Sequence, residues 1–291
     1  METSEKNKIE KSTLYVVGTP IGNLSDISER AKKVLSEVDF IAAEDTRNSL
    51  KLLMALGIKN ELVSYFEHNK KESGERIIAR LLAGESCAII TDAGMPAISD
   101  PGEDLVRLAS ENGISVQVVP GPTALISALA LSALSTKRFA FEGFLSAKKN
   151  ERKAHLTSLI KETRTLIFYE APHKLKTTLS DMLEIFGEER KISLSRELTK
   201  LNEEVIRTTL RGAVSLYEEK EPRGEYVLVL EGCESSEDSS ENEVLSALSP
   251  REHIAYYLNL GMSKMDAIKA AAKDRKIPKS EMYKLDIENK E

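Results

Sequence analysis

Short apolar runs alternate with helical patterns over the first half of the chain, and this alternation constrains the fold most. Apolar runs at 14–17, 39–43, 87–91 and 115–119 are each followed by a segment with the signals of a helix, such as helical spacing of apolar residues. Strands separated by helices pair in parallel, with the helices covering the faces of the sheet. The sequence therefore predicts an α/β fold built on a largely parallel sheet.

One connection in this pattern, TDAGMPAISDPG at 91–102, is unusually rich in residues that restrict the backbone. Asp100 and Pro101 predict a helix start, with an acidic N-cap followed by proline at the first helical position. A rigid loop at the carboxyl end of a buried strand is where open α/β sheets bind ligands. An ordinary strand-to-helix connection is the simpler alternative, and Asp100 itself fits capping better than chemistry.

Similar loops recur along the chain. GTPIGN occupies 18–23, and Pro122 and Pro172 each follow a predicted strand at a predicted helix start. GTPIGN has the spacing of neither a phosphate loop nor a dinucleotide fingerprint. The free N–H groups of several helix starts would face one sheet edge. Such a crevice suits a cofactor with adenine, ribose and amino-acid moieties, although other small ligands would also fit.

The pattern changes along the chain. A second series of strands and helices follows residue 137, and the acidic, serine-rich segment GCESSEDSSENE precedes three short capped helices. The three helices resemble a helix-turn-helix unit, and a packing or dimerisation domain is an equal alternative. We predict a disordered arm at 1–12, α/β domains at 13–136 and 137–231, an acidic linker at 232–246 and a helical RNA-binding-like domain at 247–291.

Charge and cysteine content restrict the partners and the compartment. The net charge is −6, but six acids clustered between 231 and 243 account for it, so a polyanionic partner is not excluded. Two isolated cysteines offer no disulfide framework, and the four histidines lack ligand spacing. With no apolar run of 18 residues and a polar N-terminus, we expect a cytoplasmic protein without a metal site.

Three polar residues that follow predicted strands are candidates for chemistry: Asp45, Arg47 and His68. Asp45 or His68 would act as a proton acceptor, and Arg47 would hold a phosphate. The simpler alternatives are an ion pair between Arg47 and Asp45, and a structural role for His68.

A basic cluster lies downstream, close to Phe139, Phe141 and Phe144. Its members are Lys148, Lys149, Arg152 and Lys153. Phosphate contacts that position a nucleic acid are the functional interpretation. A solvated helix face explains the same residues equally well.

Six ordered motifs together resemble a known family: GTPIGN, AEDTR (43–47), TDAGMPAISDPG, VPGPTA (119–124), FYEAPHK (168–174) and SRELTK (195–200). They are similar to those of the tetrapyrrole-methylase-like S-adenosylmethionine methyltransferases, over residues 13–287. The closest branch methylates the ribose 2′-hydroxyl of a cytidine in small-subunit (16S) ribosomal RNA. The resemblance implies the class III methyltransferase fold, two α/β domains with S-adenosylmethionine in the cleft between them, and a homodimer acting on ribosomal RNA within the 30S subunit.

The resemblance also implies residue roles. Cofactor contacts would fall on Pro20, Ile21, Ala93, Gly94, Met95, Ile98, Thr123, Ala124, Tyr169, Glu170 and Leu198. Lys174 stands where this branch usually has arginine, so a phosphate contact there keeps its charge but loses the planar, two-pronged donor. In the implied reaction the ribose oxygen attacks the sulfonium methyl, with Asp45 or His68 as the base and Arg47 orienting the substrate phosphate.

Two other functions remain open from the sequence. A small-molecule methyltransferase of the same superfamily would act on a tetrapyrrole, but it would need neither the basic cluster nor the helical tail. A helix-turn-helix regulator would use the α/β part to sense a ligand, but the tail's near-neutral charge disfavours DNA binding.

Overall fold

A computed structural model describes residues 8–233, 248–275 and 277–288. The first sheet has the order β3-β2-β4-β1-β5, and all its strand pairs are parallel. Its strands, β1 to β5, are Thr13–Val17, Phe40–Ala43, Leu62–Ser64, Cys87–Ile90 and Ser115–Val119. The predicted parallel sheet is therefore present, and the carboxyl ends of its strands share one edge.

Five helices, α1 to α5, connect these strands or follow them, and local capping explains where several begin. They are Glu29–Glu37, Thr46–Ala55, Lys70–Leu82, Gly102–Glu111 and Ala124–Leu131. The Ser28 hydroxyl accepts a hydrogen bond from the Ala31 amide at the start of α1. The Asp45 carboxylate accepts from the Arg47 amide and caps α2 in the same way.

Both faces of the first sheet are covered. Alternate strand residues such as Leu14 and Phe40 pack with Ile77 of α3 and Leu105 of α4 on one face. Residues on the opposite face pack against α1 and α2. This two-sided burial explains why the central strands β1, β2 and β4 are continuous apolar runs.

The second sheet is mixed, with the order β6-β7-β10-β8-β9. Its strands are Phe139–Phe144, Thr165–Glu170, Lys191–Arg196, Glu204–Thr209 and Tyr226–Leu230. Only β6 and β7 are parallel; the other pairs are antiparallel. Three helices, α6 to α8, span Lys149–Ser158, Pro172–Phe186 and Leu210–Glu219, and they cover one face of this sheet.

Helix α5 covers the other face of the second sheet. Leu125 and Leu129 pack against Ile167 and Val229. The near-uniform apolar composition of α5 predicts complete burial, but Ile126 and the neighbouring Leu131 are exposed because the helix packs on one side only.

The tail forms three helices, α9 to α11, at Pro250–Asn259, Lys264–Asp274 and Lys279–Glu288. Ser249 and Glu252 form the reciprocal capping box that their spacing predicts. These helices belong to one compact unit, and both sheets belong to another. The predicted domain boundary at residue 137 falls inside the compact unit that contains both sheets, and it stays a prediction. The predicted arm at 1–12 and the predicted linker at 232–246 lie largely outside the described residues. Among the described helices, none is long and apolar enough to cross a membrane.

Candidate active site

A cavity of about 340 Å³ lies where the ends of strands from both sheets meet. We call it the strand-end cavity. Its walls come from the loops after β1, β2, β4, β5 and β8, with the ends of β6, β7 and β8 and the start of β10. The residues that line it are Ile21, Glu44, Thr91, Asp92, Ala93, Gly94, Met95, Ile98, Ser99, Asp100, Thr123, Ala124, Leu125, Phe144, Tyr169, Glu170, Ser195, Glu197, Leu198, Lys200, Glu225, Tyr226 and Val227.

Two of the loops are tied together by a short bridge. The Thr19 amide donates to the Gly94 carbonyl oxygen at 2.9 Å, and the Gly94 amide donates back at 3.2 Å. The Thr19 hydroxyl lies 3.3 Å from the carbonyl oxygens of both Thr91 and Gly94. GTPIGN and TDAGMPAISDPG therefore form one continuous wall.

The loop after β4 is held in a strained shape. Ala97 and Ser99 have φ values of +65° and +62°, a left-handed region that costs about 1–2 kcal/mol for a residue with a Cβ. Asp100 supports this shape, since its Oδ1 accepts from the amides of Ala97 at 2.9 Å and Gly102 at 2.7 Å. Helix α4 begins at Gly102 with Pro101 as its N-cap, one residue later than predicted, so Asp100 precedes the cap and braces the loop against the first helical amide. Burial raises the pKa of the Asp100 carboxyl.

The loop after β8 also contains non-glycine residues with a left-handed backbone. Glu197 and Thr199 are also left-handed, with φ values of +51° and +66°. Non-glycine residues in this region persist where surrounding structure fixes them, and they concentrate at functional sites.

Two acids in the wall already have polar partners. The Thr91 hydroxyl donates to Glu44 at 2.7 Å, and the Asn48 amide donates to Asp92 at 3.1 Å. Both carboxylates are thereby oriented at strand ends. A ligand with an amino group or ribose hydroxyls would meet acceptors on this side of the cavity.

The second sheet contributes an aromatic wall and a buried acid. The Tyr169 ring lies 4.9 Å from the Phe141 ring and 5.4 Å from the Phe144 ring. Glu170 is almost fully buried; its carboxylate accepts from the Thr178 hydroxyl at 2.6 Å and lies 3.7 Å from the Lys174 ammonium. Lys174 therefore balances a buried charge.

The Ser195 hydroxyl is a buried polar group that has no hydrogen-bond partner among the described residues. Ser195 lines the cavity and is completely buried. Buried hydroxyls are nearly always hydrogen-bonded, so this one is poised for a ligand. Together with the acceptors Glu44 and Asp92 and the apolar Met95 and Leu198, it gives donors, acceptors and apolar surface that fit a nucleoside bearing an amino acid.

The predicted cofactor residues, except Pro20, all line the cavity. The predicted catalytic residues Asp45, Arg47 and His68 are not among the lining residues. Arg47 donates to Asp45 at 3.1 Å from Nε and at 2.8 Å from a terminal nitrogen, and these bonds lower the Asp45 pKa to about 2. This ion pair is the simpler alternative that the sequence left open. His68 is exposed, with its ring 6.1 Å from that of Phe66.

The basic cluster divides into inward and outward members. Arg152 is buried and forms an ion pair with Asp181 at 2.7 Å, and Lys153 pairs with Glu184 at 2.6 Å. Lys148 and Lys149 are exposed at the start of α6. The guanidinium of Arg152 is thus committed to the interior of the α6–α7 layer.

Several cavity residues were not singled out from the sequence. Ser195, Glu197 and Lys200 lie within SRELTK, but only Leu198 was chosen there. Glu225 and Tyr226 arrive through β10, whose antiparallel pairing sets Tyr226 opposite Arg196. Long-range pairing of this kind leaves no local signal in the sequence.

Comparison with known proteins identifies the family. Residues 13–214 match the family described as Tetrapyrrole (Corrin/Porphyrin) Methylases. Proteins named ribosomal RNA small subunit methyltransferase I are similar over nearly the whole chain: that of Halalkalibacterium halodurans is 46% identical, covering 98% of both chains, and that of Bacillus subtilis is 45% identical, covering 97% of this chain and 96% of its own. The chain belongs to this methyltransferase I branch of the tetrapyrrole methylases.

The fold of these methyltransferases is also found among solved structures. Uroporphyrin-III-C-methyltransferase from Thermus thermophilus superimposes with a TM-score of 0.55 at 22% identity, over 76% of this chain and 94% of its own. The predicted tetrapyrrole-methylase-like fold is confirmed. The chain is accordingly an enzyme, and the predicted methyl donor, S-adenosylmethionine, is the one used by this family. The described residues contain no group of three or more acids, histidines or cysteines that could hold a metal ion.

Proposed function

We propose that the protein transfers a methyl group from S-adenosylmethionine to the ribose 2′-hydroxyl of a cytidine in small-subunit ribosomal RNA. The observation that carries this proposal is the 45–46% identity, over at least 97% of the chain, to two proteins whose name specifies small-subunit ribosomal RNA. The strand-end cavity supports it, because loops from six motifs of the resemblance line its walls.

Residues of the strand-end cavity would hold the cofactor. The amides at the start of α5 offer donors, Ser195 offers an unpaired hydroxyl, and Met95 and Leu198 offer apolar contact. Bound S-adenosylmethionine would supply an activated methyl group on a sulfonium. Because the donor is already activated, the chain's main contribution is to orient the two reactants and exclude water.

A base near the ribose would assist, since a hydroxyl is a poor nucleophile until its proton leaves. The proposed candidates are Asp45 and His68, with Arg47 orienting the substrate phosphate. The Arg47 guanidinium holds the pKa of Asp45 near 2, which makes Asp45 a weaker base than an ordinary aspartate. Turnover by Asp45→Ala and His68→Ala, measured with cofactor affinity unchanged, tests both roles. Near wild-type turnover in each variant would exclude them.

The proposed RNA contacts are Lys148, Lys149, Arg152, Lys153 and Lys174. Of these, the exposed pair Lys148 and Lys149 is best supported, since Arg152 is buried with Asp181. Surface ion pairs such as Lys148–Glu151 contribute little stability, so a phosphate can replace the carboxylate. The enzyme would act in the cytoplasm, on ribosomal RNA within the 30S subunit.

We also propose that the enzyme works as a homodimer. Strand β5 lies at the edge of the first sheet and leaves Val116 and Val118 exposed, and α5 exposes Ile126. An edge strand with exposed apolar side chains is open to pairing or packing with a second copy of the chain. Sedimentation of the wild-type chain and of Val118→Glu tests this: a dimer that the substitution converts to a monomer supports it, and a wild-type monomer contradicts it.

Incubation with methyl-labelled S-adenosylmethionine tests the substrate class. Unmodified 30S subunits, naked ribosomal RNA and tetrapyrrole precursors are offered in parallel. We expect label in the ribosomal RNA of the 30S subunits. Label in the tetrapyrroles alone would establish a small-molecule methyltransferase instead.

A further inference from the structure

Phe144 is an aromatic side chain that lines the strand-end cavity yet remains largely exposed. It ends strand β6, and 58% of its surface is accessible to solvent. Single exposed apolar side chains are common on protein surfaces, but an exposed aromatic ring that lines a cavity is also available to a partner. Its position at the cavity limits that partner to something that also approaches the reaction site.

The ring is fixed in place by its neighbours. Phe144 lies 5.4 Å from the Tyr169 ring at an interplanar angle of 57°, and Tyr169 lies edge-on to Phe141 at 4.9 Å. Strand pairing places Phe144 directly opposite Tyr169. A ring held by its strand and by a second aromatic residue loses little entropy when a flat ligand stacks on it.

The loop after β4 lies against the same strand end. Gly143 is left-handed, and a Cβ added there would come within 3.4 Å of the Ser99 hydroxyl. That loop carries Ile98, which lines the cavity and is 46% exposed. Phe144 is therefore adjacent to the wall that the cofactor would contact.

Positive charge follows immediately along the chain. Lys148 and Lys149 begin α6 four and five residues beyond Phe144, and both are exposed. An exposed aromatic ring followed within five residues by exposed lysines suits single-stranded nucleic acid, with stacking for a base and charge for phosphates.

We propose that Phe144 is a stacking platform for the base of the nucleotide whose ribose is methylated. This inference rests on the proposed function and extends it by assigning a subsite for the base. Bases of single-stranded RNA loops can leave their neighbours and stack on aromatic side chains, and the target nucleotide would do so on Phe144. Stacking on Phe144 would recognise any flat base. Contacts from other residues to the edge of the base would distinguish cytosine.

Kinetics of Phe144 variants on unmodified 30S subunits test the proposal. We expect Phe144→Ala to lower kcat/KM about 10- to 100-fold, the range for one base–aromatic stack, mainly through KM because the stack forms on binding. Phe144→Trp should retain activity, and Phe144→Leu should behave like Phe144→Ala. Affinity for S-adenosylmethionine, measured by calorimetry, should fall much less than kcat/KM, because the largely exposed ring of Phe144 would contact mainly the substrate base.

Phe139→Ala is the matched control, because Phe139 is exposed on the same strand but does not line the cavity. It should behave as wild type. Wild-type kinetics for Phe144→Ala, full activity for Phe144→Leu, or a loss explained by weaker cofactor binding would each overturn the stacking role. If the wild-type enzyme methylates no ribosomal RNA, both the proposed function and this inference fail. If the wild-type enzyme is active and Phe144→Ala is equally active, this inference alone fails.

Discussion

Gly18 and Gly121 pack backbone to backbone where β1 and β5 end. A Cβ built on Gly121 would lie 2.8 Å from the Gly18 Cα, and one built on Gly18 would lie 2.6 Å from the Gly121 Cα. Real Cβ atoms do not approach backbone this closely, so neither position accepts a side chain without displacement of its loop. These two glycines let the GTPIGN and VPGPTA loops converge.

Gly121→Ala is therefore expected to lower the free energy of unfolding by about 1–3 kcal/mol, the cost of overpacking. It should also weaken cofactor binding, since Thr123 and Ala124 follow directly in the cavity wall. Thermal unfolding and calorimetry measure the two effects. Gly113→Ala is the control: a Cβ there meets nothing within 4 Å, so it should cost only backbone strain at φ +69° and leave cofactor affinity unchanged.

Ser195→Ala tests whether the unpaired hydroxyl binds the cofactor. Its loss should raise the Kd for S-adenosylmethionine about 3- to 10-fold, the net value of one hydrogen bond, without reducing stability. Ser193 offers a matched control, because its hydroxyl is equally buried and unpartnered among the described residues but does not line the cavity. Equal effects of Ser193→Ala and Ser195→Ala on Kd would show that the hydroxyl is merely structural.

Substitutions in the basic cluster should affect either the stability of the protein or its binding to RNA, depending on the residue. Arg152→Ala would leave the buried Asp181 carboxylate with only the Lys153 ammonium, 3.8 Å away, and should cost up to about 3–5 kcal/mol of unfolding free energy. Combined Lys148→Glu and Lys149→Glu should leave the unfolding midpoint nearly unchanged and weaken binding to 30S subunits, with a shallower salt dependence. Chemical denaturation and filter binding at several salt concentrations measure these outcomes. A stable Arg152→Ala with weakened RNA binding would reverse the assignment.

The tail should lose stability in mild acid. His253 is buried; its Nδ1 accepts from Arg275 at 3.1 Å, and its Nε2 contacts Asp274, which also accepts from Tyr257. Burial lowers the pKa of His253 below its ordinary value of 6.5, so the unfolded state binds more protons as the pH falls through this range. Stability present above about pH 6.5 should therefore decline below it.

Hydrogen exchange of residues 248–275, corrected for intrinsic rates, checks this at pH 7.5 and 5.5. We expect reduced protection at the lower pH, and much less pH dependence in His253→Gln. Equal protection at both pH values in the wild type would mean that His253 does not control this helical unit.

Much of the fold could be predicted because its signals are local. Apolar runs mark the strands, and Ser28, Ser249 and similar caps mark the helix starts, so the predicted elements agree with the structure to within a few residues at most ends. The cavity loops could also be predicted, because proline restricts the backbone and glycine permits conformations that other residues avoid. The features that escaped prediction depend on distant partners.

Arg152 illustrates this limit. It belongs to a cluster of bases that reads as a solvated or phosphate-binding surface, and its partner Asp181 lies 29 residues away on another helix. Glu225 is a second case, because it reaches the cavity only through the antiparallel register of β10. Asp45 and Arg47 show a different limit: at two residues' separation, an ion pair and a catalytic pair have the same sequence pattern.

The site of methylation tests the central claim most directly. Unmodified 30S subunits are incubated with the wild-type enzyme and methyl-labelled S-adenosylmethionine, and the ribosomal RNA is digested to nucleosides for mass spectrometry. The account predicts one labelled nucleoside, a cytidine carrying the methyl group on its ribose. A methyl group on a base, or label found only in tetrapyrrole substrates offered in parallel, would contradict it.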